Sequence, residues 1–137
     1  MITKQLILNN DVQQISLLED YINDLAAQAN IDYATTFNLN LALEEAVTNV
    51  LLYAYPEQQH GTATIDATIT SDRLLTFVIT DQGKAFDPTQ RPDPDITLSA
   101  EQRQIGGLGI HLVRQIMDSV SYQRQGQNNI LTMTKKL

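Results

Sequence analysis

The chain has 137 residues, the size of one ordinary domain and long enough to bury a core without staples. Nine Lys and Arg stand against sixteen Asp and Glu, a formal net charge of −7 that repels nucleic-acid backbones and anionic lipid head groups. There is no cysteine, so disulfides and thiolate metal sites are excluded. No apolar run approaches the ~20 residues of a membrane span, and Met1–Gln5 has no signal-peptide pattern. A single domain over residues 1–137, cytoplasmic, without nucleic-acid or membrane partners, is expected.

In chain order, Lys4–Leu8 reads as a short strand, and Asn9-Asn10-Asp11 offers capping side chains to a helix. That helix carries Val12, Ile15, Leu18, Ile22 and Leu25 at helical spacing and ends near Asn30. A second helix runs from about Tyr33 to Tyr55 through Phe37, Leu41, Leu43, Ala46, Val47, Val50 and Leu51, and Pro56 stops it. Thr62–Thr70 alternates Ala63, Ile65, Ala67 and Ile69 with polar residues, and Leu74–Thr80 repeats the pattern after Ser71-Asp72-Arg73, which predicts a hairpin. From Pro88 to Ile105 the pattern lapses into a proline-bearing loop with Pro92 and Pro94; loops of that length in a compact domain are usually functional or disordered. A third helix is expected from Ile110 to about Asp118, with Leu112, Val113, Ile116 and Met117 as its stripe. Ser119–Arg124 and Asn129–Lys135 close the chain as two strands around Gln125-Gly126-Gln127-Asn128. The fold class is α+β: a two-layer α/β sandwich, its mixed, mainly antiparallel sheet covered on one face by three helices.

Three segments carry chemistry. On the second helix, in Leu43-Glu44-Glu45-Ala46-Val47-Thr48-Asn49, Glu45 and Asn49 are one turn apart on the same face, about 5–6 Å between Cβ atoms. Asn49 offers a neutral oxygen suited to Mg²⁺, which needs only one or two protein oxygens beside phosphates and water. Glu45 is placed to accept a proton, although most helix glutamates are simply solvated, the fate expected of Glu44. Asp81 ends a strand and begins Asp81-Gln82-Gly83-Lys84-Ala85-Phe86-Asp87-Pro88; a carboxylate there can accept a hydrogen bond from the exocyclic amine of adenine, or it merely begins a turn. Gly106-Gly107-Leu108-Gly109-Ile110 opens a helix, where backbone N–H groups and the helix dipole favour phosphate, although an isolated segment of this kind is more often a tight turn. The Walker pattern fails for want of Gly-Lys-Ser/Thr, and the dinucleotide fingerprint fails at Leu112.

These segments, in this order, resemble the GHKL ATPases, the histidine-kinase-like superfamily that includes DNA gyrase, over nearly the whole chain. Within it, the compact size and Glu45-Ala46-Val47-Thr48-Asn49 look like the bacterial anti-sigma factor serine/threonine kinases. The resemblance implies ATP and Mg²⁺ as cofactors, with Asn49 holding the metal, Glu45 the general base, Asp81 on the adenine amine, and Gly83 shaping the pocket floor beside Ala85 and Phe86. It further implies Gly107, Leu108 and Gly109 around the phosphates, residues 88–105 as a lid, and Arg103 as a cation near the terminal phosphate. Asn129 stands where relatives place a threonine that contacts adenine through water. Ala85 replaces a frequent second glycine, and Tyr53 stands where many relatives carry histidine. His111, at the start of the third helix, is expected to be a surface or packing residue.

The implied function is transfer of the ATP γ-phosphate to a serine of a small anti-anti-sigma (STAS) partner by a protein that also holds a sigma factor, and relatives of this kind commonly form homodimers. The alternatives are a non-catalytic, nucleotide-dependent module that binds a regulator, and a GHKL ATPase without a protein acceptor.

Overall fold

In the computed structural model, described here for residues 1–55, 60–90 and 107–137, five strands make one sheet under three helices. The strands are β1 (Ile2–Asn9), β2 (Thr62–Ile69), β3 (Leu74–Asp81), β4 (Ser119–Gln125) and β5 (Asn128–Lys136). Their order across the sheet is β1-β2-β3-β5-β4, and every neighbouring pair is antiparallel, so among the described residues the sheet has no parallel component. The helices are α1 (Leu17–Ala29), α2 (Tyr33–Tyr53) and α3 (Gly107–Ile116).

Alternation decides which face is covered. Ala63, Ile65, Ala67 and Ile69 of β2, Leu75, Phe77 and Ile79 of β3, and Leu131 and Met133 of β5 are buried and share one core with the helices. On α2 the buried set Leu39, Ala42, Leu43, Ala46, Val47, Val50 and Leu51 recurs at helical spacing. The hydroxyl of Tyr21 on α1 donates to the Lys4 carbonyl (2.8 Å) and the Ile65 carbonyl (3.3 Å), and burial raises its pKa well above the usual phenol value.

The element boundaries differ from the sequence reading where a cap or a turn intervenes. The first helical segment splits: Asp11 accepts a hydrogen bond from Gln13 N–H (2.9 Å) and starts a 3₁₀ turn, Val12–Ser16, before α1 begins. Asp32 caps α2 through Thr35 N–H (2.7 Å). The third helix starts at Gly107 rather than Ile110, because the glycine segment forms its first turn instead of a loop ahead of it, and it ends at Ile116. Gly126 holds φ at +61° in the β4–β5 turn, a backbone conformation that favours glycine. Of the expected loop over 88–105, Pro88–Gln90 is a short 3₁₀ turn.

Candidate nucleotide site

Strand parity brings the polar residues together. Asp81 continues the inward series Leu75, Phe77, Ile79 to the last position of β3, and Asn129 continues Met133 and Leu131 to the near end of β5. The register sets Asp81 opposite Asn129, and Asn129 opposite Arg124 of β4. A polar row therefore lies along the helix-facing side at one end of the sheet.

Asp81 is 1% exposed. Its Oδ1 accepts Gly83 N–H (2.9 Å) and Asn129 Nδ2–H (2.8 Å). Burial pushes its carboxyl above the ordinary range, opposed by those two hydrogen bonds and by the Arg124 charge. Asn129, also buried, donates its second Nδ2–H to the Lys84 carbonyl (2.8 Å). Its Oδ1 accepts Arg124 Nη1–H (3.1 Å), Phe86 N–H (3.3 Å) and the Tyr122 hydroxyl. Arg124 also donates to the Gly83 carbonyl (2.8 Å).

The end of α2 is bound to the same loop. The Ala54 carbonyl accepts Lys84 N–H (2.8 Å), the Tyr55 hydroxyl accepts Gln82 N–H (2.9 Å) and donates to the Thr62 carbonyl (2.7 Å), and the rings of Tyr53 and Phe86 stack 5.3 Å apart. A Cβ on Gly83 would lie 2.2 Å from the Ala54 carbonyl oxygen and 2.6 Å from its carbon, so no side chain fits without displacing backbone. Gly83→Ala is expected to lower stability by about 1–3 kcal/mol, read as a fall in the denaturant midpoint with unchanged slope.

On α2, Asn49 is 1% exposed, and neither its Oδ1 nor its Nδ2 has a hydrogen-bond partner among the described residues. A buried, unmatched primary amide is costly, and it needs an explanation such as a ligand that completes it. One turn earlier Glu45 is half-buried, and its carboxyl is raised above the ordinary value by burial and then by the neighbouring Glu44, which is exposed. Among the described residues no three His, Asp or Glu side chains gather as a metal cage. The unpartnered amide oxygen of Asn49 fits a Mg²⁺ ion that takes only one or two ligands from the protein.

α3 packs on α2, and its first turn contains Gly107, Leu108 and Gly109, whose backbone N–H groups have no acceptor within the helix itself, as at every helix start. Arg114 of α3 donates to the Thr89 carbonyl, which fixes the Pro88–Gln90 turn against the helix. Ala85 is exposed and His111 half-buried. Arg103 lies outside the described residues. Sequence reasoning missed Tyr55, Tyr122 and Arg124: Tyr55 was legible only as the end of a helix before Pro56, and the inward parity of Tyr122 and Arg124 on β4 was the available signal for the other two.

With a helix-borne amide, a buried carboxylate and a glycine-led helix around one end of the sheet, comparison with known proteins decides the family. The sequence matches the histidine kinase-like ATPase domain over residues 8–135. The chain belongs to that family. It is 30% identical over 125 residues to the serine-protein kinase RsbW of Listeria monocytogenes, covering 88% of this chain and 79% of the relative. It is 36% identical over 99 residues to the serine/threonine-protein kinase BtrW of Bordetella bronchiseptica, covering 72% and 68%. In fold it resembles the crystal structure of the RsbU and RsbW domains of a Mycobacterium tuberculosis protein, with a TM-score of 0.72 at 12% identity, over all of this chain and 33% of that longer one. The expected family, fold and enzyme class are borne out, both sequence relatives being protein kinases by name, and ATP is the nucleotide that a histidine kinase-like ATPase domain uses. Among the described residues no helix is long and apolar enough to cross a membrane.

Proposed function

We propose that this chain is a cytoplasmic, Mg²⁺-dependent protein serine kinase of the anti-sigma-factor type. It phosphorylates a serine on a small STAS-domain anti-anti-sigma partner, and it holds a sigma factor, as part of a partner-switching system. The observation that carries the reading is the unmatched amide of Asn49, buried one helical turn from a half-buried Glu45 with a raised carboxyl.

Mg·ATP, when bound, would supply the phosphoryl group, and its Mg²⁺ would offset the negative charge of the phosphate oxygens. Asn49 Oδ1 would serve as the protein's ligand to the metal, and its burial shields that oxygen from bulk water. Glu45 would take the proton of the acceptor serine as the serine oxygen bonds to the γ-phosphorus and the bond from that phosphorus to the bridging oxygen breaks, leaving ADP; its raised carboxyl brings proton affinity closer to the working pH than an exposed glutamate offers. Asp81 receives the exocyclic amine of adenine. The backbone N–H groups of the first turn of α3, at Gly107, Leu108 and Gly109, would receive phosphate oxygens. One ligand, one base and backbone donors suffice, because phosphoryl transfer depends mainly on positioning and electrostatic stabilisation. Relatives named RsbW and BtrW as protein kinases support the choice of a protein acceptor.

The test is transfer from γ-labelled ATP to a recombinant STAS-domain protein from the same organism. Label on one serine, absent when that serine is alanine, is the expected result. ATP turned over with no phosphoprotein would establish an ATPase instead, and ATP bound without turnover would establish a nucleotide-dependent binding module.

A further inference from the structure

The hydrogen bonds of Asn129 leave it nothing with which to reach a ligand. Both Nδ2–H donors are taken, by Asp81 Oδ1 and the Lys84 carbonyl. Its Oδ1 faces three donors: Arg124 Nη1–H, the Tyr122 hydroxyl and Phe86 N–H. This set fixes the amide orientation without ambiguity, since a flipped amide would turn its oxygen toward the carboxylate of Asp81 and its N–H groups toward three donors. The consequence falls on Asp81. Oδ1 accepts both Asn129 Nδ2–H and Gly83 N–H, and no hydrogen bond reaches Oδ2 among the described residues.

We propose that Asn129 is a positioning residue, held by Arg124 and Tyr122, that commits Asp81 Oδ1 to the protein and presents Oδ2 as the acceptor that selects a 6-amino over a 6-oxo purine. The inference rests on the nucleotide-site reading above and departs from the expectation that the residue at 129 itself addresses the base. A 6-amino group donates to an ionised carboxylate, whereas a 6-oxo group opposes one acceptor with another. Because the Asn129 hydrogen bond also favours the ionised form of Asp81, losing it makes the carboxylate easier to protonate, and ATP binding then fails at a higher pH. Arg124 is exposed apart from these bonds, so its replacement leaves the core intact.

Calorimetric titration of the full chain with Mg·ATP and Mg·ITP, in wild type, Arg124→Met and Asn129→Leu, tests this. Wild type should prefer ATP by roughly tenfold to a hundredfold, the range of a hydrogen bond to a charged group. Both variants should lose most of that preference, and Asn129→Leu should move the acid-side midpoint of ATP affinity to higher pH. A merely structural role would weaken both nucleotides equally and leave the midpoint in place. If Arg124→Met keeps the wild-type ratio, or if a folded Asn129→Leu keeps the wild-type ratio and midpoint, the positioning role is wrong. If wild type binds neither nucleotide, the nucleotide-site reading itself fails, and this inference with it.

Discussion

Replacing Asn49 with leucine is expected to stabilise the nucleotide-free protein while removing its further stabilisation by Mg·ATP. Both amide atoms of Asn49 are buried without a partner among the described residues, so the folded state carries their desolvation uncompensated. Leucine has the same branched side-chain skeleton and no polar atoms, at a position whose neighbours along α2 include the buried Ala46 and Val50. The gain should be about 1–3 kcal/mol. For a domain of this size that is roughly 3–10 °C in the midpoint of a thermal scan. Wild type at 100 times its dissociation constant for Mg·ATP should gain about 2.7 kcal/mol, and the variant nothing. Opposite signs in the two halves of one experiment mark a residue kept for a ligand at the expense of the fold. A leucine variant less stable than wild type would show that the amide has a structural partner.

Glu45→Gln is the second large effect. Removing the proposed base while keeping the shape should lower transfer to the serine acceptor by about 10²–10⁴-fold and leave ATP affinity nearly unchanged. The same carboxyl sets the pH dependence. Burial raises it first and the charge of Glu44 second, so transfer should rise with pH through that elevated value as the base ionises. Glu44→Gln removes the like charge without touching the base, and the acid limb of the rate profile should move to lower pH. The effect on stability has the reverse sense. A glutamate whose folded value lies above its unfolded value contributes stability that is present below the unfolded value and lost as pH rises through the folded one. Glu45→Gln should therefore not destabilise the protein at neutral pH, so a folded, inactive variant is the expected product.

Much of the fold was legible because period dominates it. The 3.6 spacing of Ala46, Val47 and Val50 and the alternation of Ile65, Ala67 and Ile69 each admit one reading. The division of the first helix at Leu17 was not legible, because Ile15 keeps helical spacing through a 3₁₀ turn as short as Val12–Ser16. Nor was the exact start of α3, since glycine has low helix propensity and Gly107 and Gly109 give no sign of where the first turn begins. At the site, the pairing of Glu45 with Asn49 follows from helical geometry alone, and the inward parity of Asp81 and Asn129 follows from their strands. The contact between those two does not, because it depends on β3–β5 register across nearly fifty residues of intervening chain. Register likewise hid Arg124, whose neighbours on β4 are all polar except Val120 and Tyr122.

Titration of wild type and Asn49→Leu with ATP, each with and without Mg²⁺, tests the proposed metal site most directly. Wild type should bind ATP far more tightly with the metal, and the leucine variant should lose that Mg²⁺-dependent affinity. A leucine variant that keeps it would remove Asn49 from the metal site and with it the observation on which the proposed function rests.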